Sequence, residues 1–256
     1  MSYSITVDWV KPEVAILTFS DHERSNQICW AAIDDLAEHL RHSRECGARV
    51  VILASGVPGQ WLQHAWLQDL LSGLAGLEQT GTGAGWFATL NELSHEDVIS
   101  IAAISGDCSG GGAELGWACD FRIAEKTSRF SQPEINMGLT TGIGGSSRLA
   151  QLAGRATATE MVLTGKPMSA ERLCALGAVN RVVQSGQALE AALELGAMLA
   201  EKSPHAVAGL KRILASSDDA SLTDAMIYEQ EVFQSVVSTP QAVQGMRKIQ
   251  SGYDCG

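Results

Sequence analysis

Two glutamates and the glycines around them are the residues of this chain best suited to chemistry. An apolar run at 98–105 breaks into Gly106-Asp107-Cys108-Ser109, then Gly110-Gly111-Gly112, then AELGWACD. Three glycines directly before a helical run leave backbone N–H groups uncovered at the positive end of the expected helix. Donors of that kind can hold an oxyanion. Glu114 follows in the expected first turn, where its carboxylate reaches the same space. Further on stands Ser131-Gln132-Pro133-Glu134, and Pro133 restricts the backbone before the second carboxylate. Two carboxylates beside one oxyanion pocket suit the addition of water across an activated double bond. One takes a proton from water, and the other supplies a proton to carbon or orients the water. Neighbouring acids are also expected to push their pKa values apart, so that one stays protonated.

Other patterns carry less. GDCSGG (106–111) resembles a serine-protease nucleophile loop with a Cys inserted, but a strand-to-helix setting is wrong for an all-β protease. Gly165-Lys166 is followed by Pro167, so there is no phosphate-binding GxxxxGK[ST] loop, and no GxGxxG follows a strand. His39 and His42 read as an exposed helix face, and no metal site is expected. The cysteines at 29, 46, 108, 119, 174 and 255 form no CxxC pair. They read as small buried hydrophobes in a reducing cytoplasm. Lys and Arg number 18 against 29 Asp and Glu, a formal charge of −11. That balance excludes a nucleic-acid footprint and a polybasic membrane surface. The N-terminus has no basic, then apolar, signal pattern, and no run is long enough for a membrane span.

The elements that must position the glutamates alternate in type. EVAILTF (13–19), RVVILA (49–54), VISIAAIS (98–105) and DFRIAE read as buried strands. Trp30, Ile33, Leu36, Ala37 and Leu40 recur at helical spacing between the first two. The pattern indicates α/β architecture. Residues 56–96, with Gly81, Gly83, Gly85, Trp61, Trp66, Trp86 and Phe87, read as a functional loop with some helix. After residue 145 helices are expected to start near Gly145, Ala156, Ser169, Gln187, Pro204, Ser221 and Pro240.

Residues 100–183 resemble the crotonase (enoyl-CoA hydratase/isomerase) superfamily closely, through GGGAEL (110–115), SQPE (131–134), the glycine-rich turn TTGIGG (140–145) and LTG (163–165). The resemblance implies a ββα spiral core over 1–190 and a helical trimerisation region over 191–256. It implies Glu114 and Glu134 as the catalytic pair, Gly111 as one oxyanion-hole donor and Ala65 as the other. Gly110 and Gly142 would border the substrate. In the loop 59–66 His64 replaces a family Gly and Trp66 a family Asp, and Trp61 matches the family aromatic residue. His64 and Trp66 thus become candidate substrate contacts. The basic tail that meets CoA phosphates in many members is missing, leaving Arg24, Arg247 and Lys248 as candidates.

The implied activity is hydration or dehydration at the 2,3-position of an acyl thioester. The thioester would be carried by CoA or an acyl carrier protein, with no separate cofactor, in a cytoplasmic homotrimer or hexamer that binds neither nucleic acid nor membrane. Two alternatives stay open. One is another crotonase-type reaction (isomerisation, decarboxylation or thioester hydrolysis), favoured by Trp61, His64 and Trp66. The other is a non-catalytic acyl-CoA-binding subunit, against which the retained glutamate pair speaks.

Overall fold

A computed structural model describes residues 2–217 and 220–253. The chain opens with an antiparallel hairpin, β1 (Ser4–Lys11) and β2 (Val14–Ser20). β1 adds to the strands expected above. Ile5, Val7 and Trp9 alternate with polar residues, the period-2 signal of an edge strand with one half-buried face. Then come α1 (Trp30–Glu45), β3 (Val50–Ser55), β4 (Gly59–Gln60), α2 (Leu67–Leu74) and α3 (Gly85–Ser94). β5 (Ile99–Ile104), β6 (Gly106–Ser109) and α4 (Gly110–Ala118) follow, then β7 (Phe121–Glu125), β8 (Arg129–Ser131) and a short 3-10 helix, Glu134–Met137. The unit closes with α5 (Gly145–Ala153), α6 (Arg155–Thr164), β9 (Met168–Ser169), α7 (Ala170–Ala175), β10 (Arg181–Val183) and α8 (Ala188–Ala200).

The strands sort into two sheets, in the orders β1-β2-β3-β5-β7-β10 and β4-β6-β8-β9. β3, β5 and β7 each lie in the large sheet, and the strand directly after each enters the small one. A helix then returns the chain, so the ββα unit repeats, with parallel pairing of β3 to β5, β5 to β7, β4 to β6 and β6 to β8. Where β5 turns into β6, Gly106 is obligatory: a Cβ there would stand 2.2 Å from the Gly59 carbonyl carbon. β2, β3 and β5 are almost wholly buried, as continuous apolar runs predict. α1 covers the core against α3, and α8 lies on β3, β5 and β7.

α4 is the central element. Residues 110–117 are all buried, so the helix is enclosed on every side. The three glycines form its opening turn rather than preceding it, which moves Glu114 to the second turn. Among the cysteines, 29, 108 and 119 are buried as expected, whereas Cys46 is exposed where it caps the end of α1. Cys255 lies outside the described residues.

The chain divides into two compact units, Met1–Ala200 and Glu201–Gly256. The second holds α9 (Pro204–Ser217), α10 (Leu222–Val237) and α11 (Pro240–Tyr253). Two of these open on proline, whose missing N–H is not needed in a first turn. Ser221 caps α10 by accepting from the Asp224 N–H. No helix of the described residues is long and apolar enough to cross a membrane.

Candidate active site

The small sheet brings the loop before α2 and the start of α4 side by side. β4 pairs with β6, and the Trp61 N–H donates to the Asp107 carbonyl at 2.8 Å. The Ser109 N–H donates to Leu62 O at 3.4 Å, and the Gly112 N–H to Gln63 O at 3.0 Å. Gly112 is needed for this approach, because a Cβ on it would meet Leu62 O at 2.1 Å. Gly110 is needed twice. Its φ is +51°, and its Cβ would meet His64 Cβ at 2.8 Å and Glu134 Oε1 at 3.1 Å. His64 and Glu134 therefore flank one glycine.

The orientation of Ala65 follows from its neighbours. Ile28 N–H donates to the His64 carbonyl at 3.1 Å, and Trp66 N–H donates to the Ile28 carbonyl at 2.8 Å. The His64–Ala65 peptide is trans, so with its carbonyl toward Ile28 the Ala65 N–H faces the other way. Neither that N–H nor the Gly111 N–H meets a protein acceptor among the described residues. Ala65 and Gly111 line one cavity of about 330 Å3, together with Glu114, Glu134, His64 and Gly142. The arrangement supplies two free donors, at least one on a helix N-terminus, beside two carboxyl groups.

Glu114 is 3 % exposed. Its Oε1 accepts from the Gly145 N–H at 2.7 Å and the Ile143 N–H at 3.2 Å. Burial pushes its pKa above the ordinary carboxylate range. The N–H groups of Gly145 and Ile143 and the charge of Arg148 pull it back only in part. Gly145 must lack a side chain, since a Cβ would crowd that carboxylate at 2.7 Å. Glu134 opens the 3-10 helix after Pro133, and its Oε2 is buried without a partner. Its pKa is also raised, first by burial and then, against its own backbone N–H, by the negative charge of Glu114. Both acids thus move upward, because desolvation is the largest influence on each.

The structure does not bring Trp66 and Arg24 to the cavity. Trp66 precedes α2, and the Arg24 guanidinium lies over its ring at 5.2 Å. Arg24 is held there by Asp21, a fully buried carboxylate 3.0 Å away that requires a counter-charge. Arg247 and Lys248 are exposed on α11 of the second unit. His64 does reach the cavity. Its Nδ1 bonds the Ala65 carbonyl at 2.9 Å, which makes that nitrogen the protonated one.

Several residues at work here give little sign in the sequence. Asn26 is fully buried with φ +61°. Its Nδ2 donates to the Trp61 carbonyl at 2.9 Å and to Ser55 Oγ at 2.8 Å, while its own carbonyl accepts from the Gln63 N–H at 3.0 Å. It thereby fixes both ends of the segment leading to Ala65. An Asn in a short polar stretch, tolerant of left-handed backbone, was the available signal. Trp30 and Trp86 line the cavity, although helical spacing marks Trp30 only as a core position.

The model of the enoyl-CoA hydratase/isomerase family matches residues 10–250. The chain belongs to that family. Among its family relatives, a probable enoyl-CoA hydratase of Mycobacterium bovis is 36 % identical over 163 residues, 64 % of this chain and 63 % of the relative. That alignment therefore spans less than two thirds of the relative's length. A carnitinyl-CoA dehydratase of Escherichia coli SMS-3-5 is 30 % identical over 230 residues, covering 88 % of this chain and 87 % of that one. The solved enoyl-CoA hydratase of Bacillus anthracis superposes with a TM-score of 0.86 at 26 % identity, over 97 % of this chain and 96 % of its own. The fold is accordingly the crotonase-type α/β fold of this family.

Proposed function

We propose that this family member is a hydro-lyase that adds water to, or removes it from, the 2,3-position of an acyl thioester. The observation that carries the reading is one largely apolar cavity lined by buried Glu114 and half-buried Glu134, both of raised pKa, and by two residues with unpartnered N–H groups. The Ala65 and Gly111 N–H groups donate to the thioester carbonyl oxygen and stabilise the enolate-like charge that builds on it. Glu114, anchored through Oε1, keeps Oε2 for a water molecule and removes its proton as the oxygen adds to the β-carbon. Glu134, whose raised pKa favours the protonated form, delivers a proton to the α-carbon. Dehydration is the same path reversed. The enclosure of α4 keeps these charges in a poorly screened setting, where fixed donors act strongly.

The relatives named for CoA substrates support an acyl-CoA as the ligand, with an acyl-carrier-protein thioester as the alternative carrier. Exposed Leu210, Leu214, Leu222, Met226, Ile227 and Phe233 on the second unit support burial of its helices between copies of the chain, in a trimer or hexamer. His64 favours a second reading. An imidazole in the same cavity as Glu134 is not required by water addition and suits isomerisation, decarboxylation or thioester hydrolysis.

The test is hydration of a short 2-enoyl-CoA by purified protein, with products identified by mass. Glu114→Gln and Glu134→Gln are each expected to abolish it. Full activity in either variant would refute the two-glutamate mechanism. Saturable acyl-CoA binding with no turnover would instead identify a binding subunit.

A further inference from the structure

Two indole rings wall the cavity beside the glutamates, and the water-addition step needs neither. Trp30 opens α1, and its backbone N–H is capped by Asp69 at 2.7 Å. Its ring is packed by Gly73 and Gly83, where a Cβ would come within 3.1 Å and 3.2 Å of ring atoms. Trp86 is only 7 % exposed, and its six-membered ring lies against Gly111, where a Cβ would approach to 2.7 Å. That ring edge therefore lies beside Gly111, whose N–H is assigned above to the thioester oxygen, and both residues line the same cavity. Leu67, Met137 and Ile143 continue the apolar lining, while His64, Thr82 and Thr140 are the polar side chains on it besides the two glutamates.

We infer that the acyl group taken by this site carries a flat, conjugated apolar substituent such as an aryl ring on its β-carbon, packed on Trp86 and bounded by Trp30. Straight-chain thioesters are the poorer substrates. The inference rests on the lyase reading for its reaction and on the two indoles for its substrate class. Rings held by glycine packing are fixed in place on the cavity wall. A rigid aryl-enoyl group meets them in offset or edge-to-face contact without freezing chain rotors, whereas an alkyl chain must lose that freedom. Each ring contact corresponds to about two- to tenfold in affinity or kcat/KM. The cavity volume of about 330 Å3 stands near the lower end of ligand pockets, which run from roughly 300 to 1,000 Å3, and so bounds the acyl group.

The experiment pairs turnover with binding. Cinnamoyl-CoA and crotonyl-CoA are compared as substrates. Their saturated counterparts, 3-phenylpropanoyl-CoA and butanoyl-CoA, are compared by calorimetry. Trp30→Leu and Trp86→Leu keep apolar bulk and delete the ring, and thermal melting checks that each variant folds. The expected result is a preference for the aryl compounds in both assays, reduced about two- to tenfold by each variant. Equal or weaker binding of the aryl compound, or a preference unmoved in both folded variants, overturns the inference even if crotonyl-CoA is hydrated. Tighter aryl binding without turnover of either substrate supports the inference and removes the lyase reading alone.

Discussion

Gly112→Ala probes the contact that brings the two free N–H groups together. The added Cβ would stand 2.1 Å from Leu62 O and 2.3 Å from Leu62 C. Both are backbone atoms, so no side chain can rotate away. Ordinary contact begins at 3.4 Å, and the α4 start and the 61–65 loop must therefore part by about 1.3 Å. The Gly112 N–H bond to Gln63 O, 3.0 Å long, lies in that gap. Misplacement by about 1 Å costs on the order of 100-fold in a positioned reaction, and loss of one oxyanion donor costs about 2.7–4 kcal/mol, or 100- to 1,000-fold in kcat. Overpacking costs a further 1–3 kcal/mol or so of stability. The variant is thus expected to melt several degrees lower and to lose about 100- to 1,000-fold in kcat, measured by the ultraviolet absorbance of the conjugated thioester. Gly245→Ala is the control. It meets nothing within 4 Å inside α11 and is expected to gain roughly 0.5–1 kcal/mol with unchanged kcat. A folded Gly112→Ala enzyme within threefold of wild-type kcat would show that the loop contact does not set the oxyanion geometry.

Burial raises both glutamates, so the acid limb of kcat/KM, where Glu114 must ionise, is expected above the ordinary carboxylate range. Arg148 pulls Glu114 down, and Arg148→Gln should move that limb to still higher pH; a limb that stays or falls contradicts the assignment. The same shifts make stability pH-dependent. A carboxyl raised in the folded state loses its stabilising contribution as pH rises through the raised value. Melting curves should therefore show Glu134→Gln gaining on wild type with rising pH, and no gain below about pH 4.3. Asn26→Asp replaces a buried donor to the Trp61 carbonyl with an acceptor, and is expected to cost about 1–3 kcal/mol in chemical denaturation and to lower kcat more than it raises KM. Light scattering is expected to give the mass of a trimer or hexamer, and a monomer at micromolar concentration would leave the apolar residues of α9 and α10 unexplained.

Much of this architecture is written in local patterns. The apolar runs at 49–54 and 98–105 are long enough to mark buried strands, and helix starts at Gly145, Ser169, Pro204 and Pro240 follow from cap and proline chemistry. The GGG…Glu114 and SQPE134 segments are contiguous in sequence, so their types and order announce a paired acid site beside backbone donors. What depends on distant chain is not legible in this way. β1 shows its alternation, yet only pairing with β2 makes it a strand.

The sequence by itself thus determined the α/β class and the family and nominated the two glutamates, because each is carried by residues near one another along the chain. Only the tertiary structure decided the rest. It turned the Ala65 N–H away from Ile28, put three glycines inside α4 rather than before it, and raised both acids through burial. It also recruited Asn26, Trp30 and Trp86 to the site and drew Arg24 and Trp66 away from it. Those outcomes depend on which backbones approach closely and which groups lose water, and such quantities exist only once the small sheet, α3 and α5 have closed around α4.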